Sequence, residues 1–540
     1  MKSSFVLNGH PRKDWRYWAE FAFAVVLALA AFLFLKHFID RLKPVGLQED
    51  AMIGLRHFRN LVDHGRLVYN TQTSVMGATD PMFWLVGGLA YAVLRLFGLP
   101  MDPVYFTYNF VWLLGLTALV AWICMAGAGR RLAVSALVVT GMALLVMPLR
   151  FMWLGLEGPF IMVSVAVIAC VARSGRLYLA LFVAGLLAWN RPEIAMVGAL
   201  ALALHVIFGL PKGLWIRSAV AAGAGWVIPP LVMKVTTGQW VPNTVLAKAY
   251  FGTDTGAIFH APVTFLTARF DYLDAFVTLG KGGAFVLFLA VLVIAVCRFV
   301  VAWRDHGRSG FSWRALMATF TAGYGCFIVS VPNVWEWYIT FWLGFAVVVV
   351  VQAILDALFA IPAMDKAPLK ASFALLLLVG VAAHAERDEA RLMRENTTRW
   401  LQEERGFRGR LGEDLGTRWQ AQSVWMEAVG WQGYYNDARI FDEVGLVDRS
   451  VFAYAEHSGC HYFIDAIREL KPQFIVKRAF EVERNRMLTS PRSCPSAPLF
   501  TSANDRQWFD EHYRLAERYD SKTPEYFGEF SHLLLFKRID

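Results

Sequence analysis

Long apolar segments recur along residues 1–387, and they constrain the fold more than any other feature of the sequence. Stretches such as 104–127, 214–234 and 282–301 approach the roughly 20 residues that a helix needs to cross a bilayer. The chain is 57% hydrophobic, with a mean hydropathy of +0.43, whereas a typical soluble domain is about half apolar. From about residue 388 onward the sequence is charged and rich in turn residues. We therefore expect a membrane domain, residues 1–387, and a soluble domain, residues 388–540.

Short basic loops between the apolar segments set the expected orientation. The first apolar segment follows a basic stretch at 12–16, so the positive-inside rule places the N-terminus in the cytoplasm. The later basic loops are all cytoplasmic only if the segment 82–97 lies in the membrane interface as an amphipathic helix. This assignment predicts a multi-pass α-helical inner-membrane protein with about eleven transmembrane helices and a periplasmic C-terminal domain. The expected spans are 19–38, 104–127, 132–149, 156–173, 177–190, 193–210, 214–234, 282–301, 314–331, 335–356 and 367–385.

The expected soluble domain alternates apolar runs such as "ARIFDEVGLV" with helix patterns such as "CHYFIDAIREL". This alternation predicts an α/β fold. Cys460 and Cys494 both lie in this domain, and in an oxidising compartment they can pair; their spacing alone leaves open whether their geometry permits it. The net charge of +9 is spread over short loops, so it does not indicate a nucleic-acid partner.

Two adjacent carboxylates, Glu49 and Asp50, open a helix pattern on the expected outer face. Apolar residues at 52, 55, 58 and 62 follow helical spacing. Asp50 as an N-cap is one explanation, because Asp is a favoured cap and the helix dipole favours a negative charge there. A second carboxylate exceeds what a cap needs, and Gly54 one turn along leaves that face open to a ligand. A carboxylate in this position can also serve as a general base.

Further polar residues are expected on the same side. Glu157 in "WLGLEGPF" lies at the mouth of an expected span, where ionisable groups tend to line a cavity. Arg191 in "NRPE" has a planar guanidinium suited to a phosphate, although pairing with Glu193 explains it equally well. Lys248 in "PNTVLAKAY" offers a second positive charge, with a solvated lysine as the alternative.

Arg56 and His57 stand on the first helix and are the remaining candidates for binding a phosphate; a solvated or interfacial position is the alternative. The chain has no P-loop, dinucleotide-binding glycine motif, HExxH motif or Cys/His ligand spacing. A reaction of a soluble nucleotide is therefore unsupported. An activated substrate on the expected outer side would instead be lipid-linked, with its phosphate at the membrane surface.

The order of these segments resembles a known family. "EDAMIGLRHFRNLVDHGRLVYN", "GATDPMFW", "WLGLEGPF", "NRPE" and "PNTVLAKAY" follow one another, and they resemble GT-C glycosyltransferases, in particular the mycobacterial terminal arabinofuranosyltransferase and its bacterial relatives. Those proteins read roughly D-D-A-Y-I-x-x-R-Y-x-x-N-L, G-x-V-Y-N, S-G-L-E, R-P-E-G and P-N-T-F-Y-A-K. The runs "GYYNDARIFDEVGLVDRSV" and "LKPQFIVKR" resemble the extracytoplasmic domain of the same family.

The resemblance implies a catalytic carboxylate in the first outer loop and a polyprenyl-phosphate-linked sugar as donor. It maps the family's Asp-Asp pair onto Glu49 and Asp50. It also maps the Glu of G-L-E onto Glu157, the R-P-E motif onto Arg191 and Glu193, and the P-N-T motif onto Asn243 and Lys248. Here Glu49 replaces the first Asp, Met52 the Tyr, and Met76 a usual acidic residue. These departures leave open which carboxylate is the base and whether the sugar is arabinofuranose.

We therefore expect an inverting glycosyltransferase in which Asp50 or Glu49 deprotonates the acceptor hydroxyl. Arg191 and Lys248, or a divalent metal ion, would balance the charge of the leaving polyprenyl phosphate. The acceptor would be an extracytoplasmic glycan, lipid or protein. The alternative is a transporter or flippase of a lipid-linked sugar, for which repeated halves and broken helices are typical; no repeat is evident, and the polar groups crowd one face.

Overall fold

The computed structural model of the chain describes two connected parts, one helical and one built on a sheet. The described residues are 47–126 except 79, 100 and 101; 157–251 except 174, 175, 210 and 211; 280–306; 313–330; 404–539 except 492, 495, 523 and 525–527; and isolated residues between 22 and 33 and between 342 and 353. The predicted domain boundary between 387 and 388 lies outside them.

The helical part differs from the expected membrane domain. Among the described residues, two helices are long and apolar enough to cross a membrane, Lys212–Thr237 and Gly282–Val301. Shorter apolar helices of 10–17 residues, such as Pro81–Leu96 and Ala315–Val329, are also present among them. The prediction of a multi-pass protein with about eleven transmembrane helices is therefore wrong. Core helices of soluble proteins pass the same test of length and composition, so these two helices carry no conclusion on localisation.

The physical reason for the error is that an apolar run does not distinguish a membrane span from a buried core helix. The helix Leu177–Leu187 has 11 residues, and at 1.5 Å per residue such a helix covers roughly half of a hydrocarbon core about 30 Å thick. Its central residues Ala180 and Leu181 are fully buried. The expected spans 132–149 and 367–385 lie outside the described residues.

The described helices of the N-terminal part are labelled in chain order. They are α1 (Glu49–His64), α2 (Pro81–Leu96), α3 (Pro103–Ala126), α4 (Gly158–Arg173), α5 (Leu177–Leu187), α6 (Pro192–Gly209), α7 (Lys212–Thr237), α8 (Asn243–Phe251), α9 (Gly280–His306) and α10 (Trp313–Ser330). A 3₁₀ turn, Ala188–Asn190, links α5 to α6. One apolar cluster joins α4–α7, α9 and α10, and another joins α1, α2 and α3.

Two glycines allow α5 and α7 to pack at backbone distance. A Cβ on Gly185 would lie 2.2 Å from the carbonyl oxygen of Ala222, and a Cβ on Gly225 would lie 2.0 Å from that of Phe182. Real Cβ atoms do not come this close to a backbone oxygen, so each helix needs glycine at the crossing. The backbones of α5 and α7 are therefore in close contact at this crossing.

The C-terminal part contains a mixed five-stranded sheet flanked by helices. Its elements are a π-helical turn (Glu404–Gly409), α11 (Arg410–Thr417), β1 (Ser423–Met426), α12 (Trp431–Tyr434), β2 (Arg439–Asp442), α13 (Ser450–His457), α14 (Tyr462–Leu470), β3 (Phe474–Arg478), α15 (Ala479–Glu483), α16 (Ala503–His512), β4 (Tyr513–Asp520) and β5 (His532–Arg538). The strand order is β2-β1-β3-β5-β4. Strands β2, β1 and β3 are parallel, whereas β5 is antiparallel to β3 and β4.

Both faces of the sheet carry apolar side chains, because successive residues of a strand point to opposite faces. Trp425 and Ile475 belong to the cluster on one face, which helices α13, α14 and α16 cover. Val424 and Phe474 belong to the cluster on the other face, which α11 covers. Ile53 of α1 and Tyr69 complete that second cluster. The N-terminal part therefore supplies core residues to the sheet.

Cys460 and Cys494 form a disulfide, with their Cα atoms 5.3 Å apart. The bond links the turn before α14 to the loop before α16, 34 positions later in sequence. The sequence spacing left open whether the two cysteines can pair, and the bond confirms that they can. Because the cross-link restricts the unfolded chain, a loop of this length is worth about 3–4 kcal/mol.

We expect reduction of this disulfide to lower the free energy of unfolding of the C-terminal part by about 3–4 kcal/mol. Denaturant unfolding with and without reductant measures the change, and mass mapping under non-reducing conditions identifies the cross-linked peptide. The double variant Cys460→Ser/Cys494→Ser is the control, since its unfolding should not respond to reductant. Equal stability of the native chain in both conditions would contradict the expectation.

Candidate functional site

Helix α1 carries four of the predicted site residues. It begins at Glu49, and its N-cap is Gln48, which makes no side-chain capping hydrogen bond. Asp50 therefore lies in the first turn, not at the N-cap, so its interpretation as a cap is wrong. The predicted apolar face is confirmed, because Met52, Leu55 and Phe58 are buried. Asp50 is exposed at the helix N-terminus.

The two carboxylates of the acidic pair have different environments. Glu49 accepts hydrogen bonds from the backbone N–H of Gly430 (2.6 Å) and of Trp431 (3.1 Å), one on each oxygen. A Cβ on Gly430 would clash with Glu49, so glycine is required there. The Trp431 indole in turn donates to the carbonyl of Leu47 at 3.1 Å. Glu49 thus anchors the start of α1 to the loop after β1, while Asp50 faces outward.

The face of α1 at Gly54 is occupied by the protein itself. A Cβ on Gly54 would lie 1.9 Å from the Trp84 indole, so the expectation that this glycine leaves an open face for a ligand is wrong. The same indole donates from Nε1 to Asp80 at 2.9 Å. Gly54 is needed to seat Trp84, and Trp84 connects the first turns of α1 to Asp80.

Arg56 is buried and is committed to the backbone of both parts. Its guanidinium donates to the carbonyl oxygens of Tyr69 (3.0 Å), Gly433 (2.6 Å) and Ala438 (2.7 Å). It also stacks over the Tyr69 ring, 4.3 Å from the centroid. Since all three carbonyls are buried with it, these contacts favour a structural role. Binding of a phosphate by Arg56 stays a prediction.

His57 is fully buried and fixes the segment that follows α1. Its Nδ1 lies 2.9 Å from the carbonyl oxygen of Ile53, and its Nε2 accepts from the N–H of Gly77 at 2.9 Å. A carbonyl can only accept, so the proton is on Nδ1 and the imidazole is neutral. Burial, together with the neighbouring positive charge of Arg56, lowers the pKa of His57 to about 4, although the hydrogen bond to Ile53 acts against this. A neutral, buried imidazole positions Gly77 and is poorly suited to holding an anion.

Glu157 and Arg191 lie together, with a carboxyl group that the sequence reasoning missed. The Arg191 Nη1 is 2.7 Å from the Glu157 Oε1, and both side chains are at most 3% exposed. Burial and the Glu157 carboxylate raise the pKa of Asp80 well above its usual range, although Arg191 and the Trp84 indole act against this. The cluster therefore contains two carboxyl groups and one guanidinium, with a proton favoured on Asp80.

Asn243 is the first residue of α8 and fastens that helix to the C-terminal part. Its side-chain amide donates to the carbonyl oxygens of Gly445 and Leu446, and its backbone N–H donates to Met76 at 2.8 Å. Lys248 lies on the same helix and Glu193 on α6, but their side chains lie outside the described residues. The substrate-binding role of Asn243, Glu193 and Glu157 stays a prediction, as does the phosphate contact of Lys248.

The segment formed by residues 75–78 and 80–84 connects these groups. Met76 bonds Asn243, Gly77 bonds His57, and Asp80 with Trp84 links α1 to the Glu157–Arg191 pair. The signal for this was present in "GATDPMFW", where Asp80 precedes Pro81 at the start of a helix.

Within the described ranges, no group of three or more His, Cys, Asp or Glu side chains is arranged to hold a metal ion. The carboxylates near Asp50 are instead paired with arginines or with backbone N–H groups. A divalent metal ion therefore stays a prediction of the sequence, with no ligand set assigned to it.

Comparison with known proteins bears on the C-terminal part. Residues 391–532 match a family model described as Domain of unknown function (DUF8728), a description that names no activity. The comparison with curated proteins gives no match. The sheet and its helices, from β1 to the start of β5, fall within the matched residues.

The pKa of His57 predicts a pH-dependent stability. Its folded-state value of about 4 lies below its ordinary value of 6.5, so between these two pH values the unfolded chain binds a proton that the folded chain excludes. The contribution to stability is complete above pH 6.5 and is lost as the pH falls towards 4. Between about pH 7.5 and 4.5 we expect His57 to account for a loss of about 2–3 kcal/mol.

Other buried groups also titrate near neutral pH, so the difference between two proteins is the quantity to measure. The variant His57→Gln keeps an acceptor for Gly77 but does not titrate. Urea unfolding of both proteins at the two pH values should show a smaller acid-induced loss in the variant. Parallel losses would exclude His57 as the source.

Proposed function

We propose that the chain is an inverting glycosyltransferase that uses a polyprenyl-phosphate-linked sugar, with Asp50 as the general base. In this reaction the Asp50 carboxylate takes the proton from an acceptor hydroxyl as that oxygen bonds to the anomeric carbon. The bond from the anomeric carbon to the phosphate oxygen breaks, and polyprenyl phosphate leaves with its electron pair. The resemblance of the α1 and α8 segments to glycosyltransferase motifs supports the reaction class.

The observation that carries the proposal is the contrast between the two adjacent carboxylates. Both oxygens of Glu49 accept backbone hydrogen bonds from the loop after β1, so this residue has a positioning role. Asp50 is exposed in the first turn of α1, where the positive end of the helix dipole favours its ionised form. An ionised, accessible carboxylate on a rigid helix is what proton abstraction from a hydroxyl requires.

Exposed apolar helix surface supports a lipid-linked donor. In the candidate spans Lys212–Thr237 and Gly282–Val301, only 28% and 22% of the most apolar window is buried. Ile216, Val235 and Val286 are 79%, 78% and 64% exposed. Exposed apolar side chains in such number indicate an interaction with protein or lipid, and a polyprenyl chain is a ligand of the matching chemistry.

The donor phosphate has no assigned contact in this proposal. Arg191 is committed to Glu157, and its side chain is 3% exposed, so its predicted phosphate contact would need this ion pair to open. We infer instead that Asp80, Glu157 and Arg191 help to position α1 through Trp84, which binds Asp80 and packs against α1. This places the cluster in a positioning role.

The variant Asp50→Asn tests the base directly. Asn has nearly the same shape and keeps an oxygen, but it cannot take up a proton. We expect normal thermal stability and a transfer rate lowered on the order of 10²-fold or more. The assay follows sugar transfer from a purified polyprenyl-phosphate donor to a glycan acceptor.

Glu49→Gln is the matched partner of that experiment. Gln still accepts at one oxygen but loses the charge-assisted bond to the second N–H, so we expect a loss of about 1–3 kcal/mol in stability. Once the protein is folded, its transfer rate should stay within several-fold of the native rate. Full activity in Asp50→Asn together with strong loss in Glu49→Gln would reverse the assignment.

A further inference from the structure

One loop of the C-terminal part contacts two separate segments of the N-terminal part. Strand β2 ends at Asp442, and residues 443–447 form the β2 loop that follows it. The loop binds α8 through the side chain of Asn243, and it packs against the segment after α1 at Gly77. The β2 loop is therefore in contact with both the start of α8 and the segment that α1 leads into.

Helix α8 is held by the C-terminal part at both of its ends. At its first residue, the side-chain amide of Asn243 donates to the carbonyl oxygens of Gly445 and Leu446, the second at 3.2 Å. Near its last residue, the Tyr250 ring stacks on Phe452 of α13, with the ring centroids 5.3 Å apart. The position of α8 is thus determined by contacts with the C-terminal part.

The segment after α1 lies against the same loop. A Cβ on Gly77 would be 2.7 Å from the carbonyl oxygen of Leu446, so the two backbones are in close contact. The N–H of Gly77 donates to His57 of α1 at 2.9 Å, and the N–H of Asn243 donates to the carbonyl of Met76 at 2.8 Å. Helix α1, helix α8 and the β2 loop therefore meet at one junction.

Asp442 determines the shape of the β2 loop. Its side chain is fully buried, and its two oxygens accept one hydrogen bond each, from the N–H of Leu446 at 2.8 Å and of Val447 at 2.5 Å. The backbone carbonyl of Asp442 accepts from the N–H of Gly445 at 3.0 Å. Gly445 has a φ of +68°, a conformation that favours glycine. These bonds close the loop on the end of β2.

Two peptide units of the β2 loop connect Asp442 to Asn243. The peptide between Gly445 and Leu446 directs its N–H to one oxygen of Asp442 and its carbonyl to Asn243. The next peptide, between Leu446 and Val447, does the same with the other oxygen. Because a peptide unit is planar, its N–H and its carbonyl cannot turn independently. A change at Asp442 therefore redirects both carbonyls that hold α8.

We propose that Asp442 is a positioning residue for the transfer, which keeps α8 aligned with α1 through the β2 loop. The C-terminal part then serves the reaction as the surface on which these two helices are aligned. The alignment itself follows from the contacts. Its value for the transfer rests on the proposed function, which assigns the base to Asp50 on α1, and on the prediction that Lys248 of α8 contacts the phosphate.

Hydrogen exchange of the full-length chain, followed by mass spectrometry, tests the alignment without any substrate. In Asp442→Asn an NH₂ group replaces one oxygen, so one N–H of the β2 loop loses its acceptor. We expect the β2 loop to exchange about tenfold faster, as for the loss of one charged hydrogen bond. Peptides that contain Gly77 and Asn243 should also exchange faster, because the loop holds both segments.

Asp505→Asn is the matched control. Asp505 is also a buried carboxylate, 6% exposed, and it accepts from the hydroxyl of Thr501 and from Arg468. It lies near the start of α16, so this variant should change exchange there and leave Gly77 and Asn243 as in the native chain. If Asp442→Asn affects only the β2 loop, or if both variants act equally at Gly77 and Asn243, the proposal is overturned.

Gly77→Ala tests the same contact from the N-terminal part, and it decides the matter if Asp442→Asn does not fold. The new Cβ would lie 2.7 Å from the Leu446 carbonyl oxygen, so the β2 loop has to shift. We expect faster exchange at Leu446, at Val447 and at the start of α8. Native exchange at all three places would contradict the alignment of α1 with α8 through this loop.

Transfer kinetics separate this inference from the proposed function. Asp442 is buried and cannot touch a substrate, so Asp442→Asn should lower kcat about tenfold or more and leave both KM values within about twofold. Asn243→Ala should combine with it non-additively, because both residues act through the same peptides.

The two sets of measurements fail in different ways. If exchange behaves as expected but the native chain transfers no sugar, the proposed function fails and the alignment of the helices stands. If the native chain transfers sugar and Asp442→Asn keeps the native kcat despite faster exchange, Asp442 is not a positioning residue for the reaction.

Discussion

The contact of α1 with the C-terminal part is the interaction on which the rest of the structure depends. The Arg56 guanidinium is buried between the two parts and bonds carbonyl oxygens on both. A buried charge is tolerated only when its donors are satisfied, so this residue fixes the relative position of α1 and the loop from 433 to 438. With α1 so placed, Glu49 reaches Gly430, and Ile53 enters the core of the sheet.

The local pattern of α1 was predictable from sequence, whereas the global architecture was not. Helical spacing of Met52, Leu55 and Phe58 predicted a buried face that the structure has. The same kind of argument failed for the apolar runs. A hydrophobic pattern predicts that side chains are removed from water, but it does not show whether they pack against lipid or against protein. In the pair α5 and α7, each helix packs against the other, and Gly185 and Gly225 allow the close approach.

The contacts of the candidate site residues were not predictable from the sequence. Glu49 and Asp50 are neighbouring carboxylates in the sequence, and the structure shows that Glu49 binds the N–H groups of Gly430 and Trp431. Likewise, the spacing could not show that Arg191 meets Glu157, or that Asp80 joins them. Such roles depend on contacts between residues far apart in sequence, and no periodicity encodes them.

The bond between Glu49 and Gly430 spans 381 positions. During synthesis, the first turn of α1 leaves the ribosome long before its partner loop exists, at typical rates of about 5–20 residues per second. Throughout that interval the Glu49 carboxylate lacks the two N–H groups that it binds in the folded protein. The first turn of α1 therefore reaches its final environment only after the sheet has folded, so this early helix is among the last to be fixed in place.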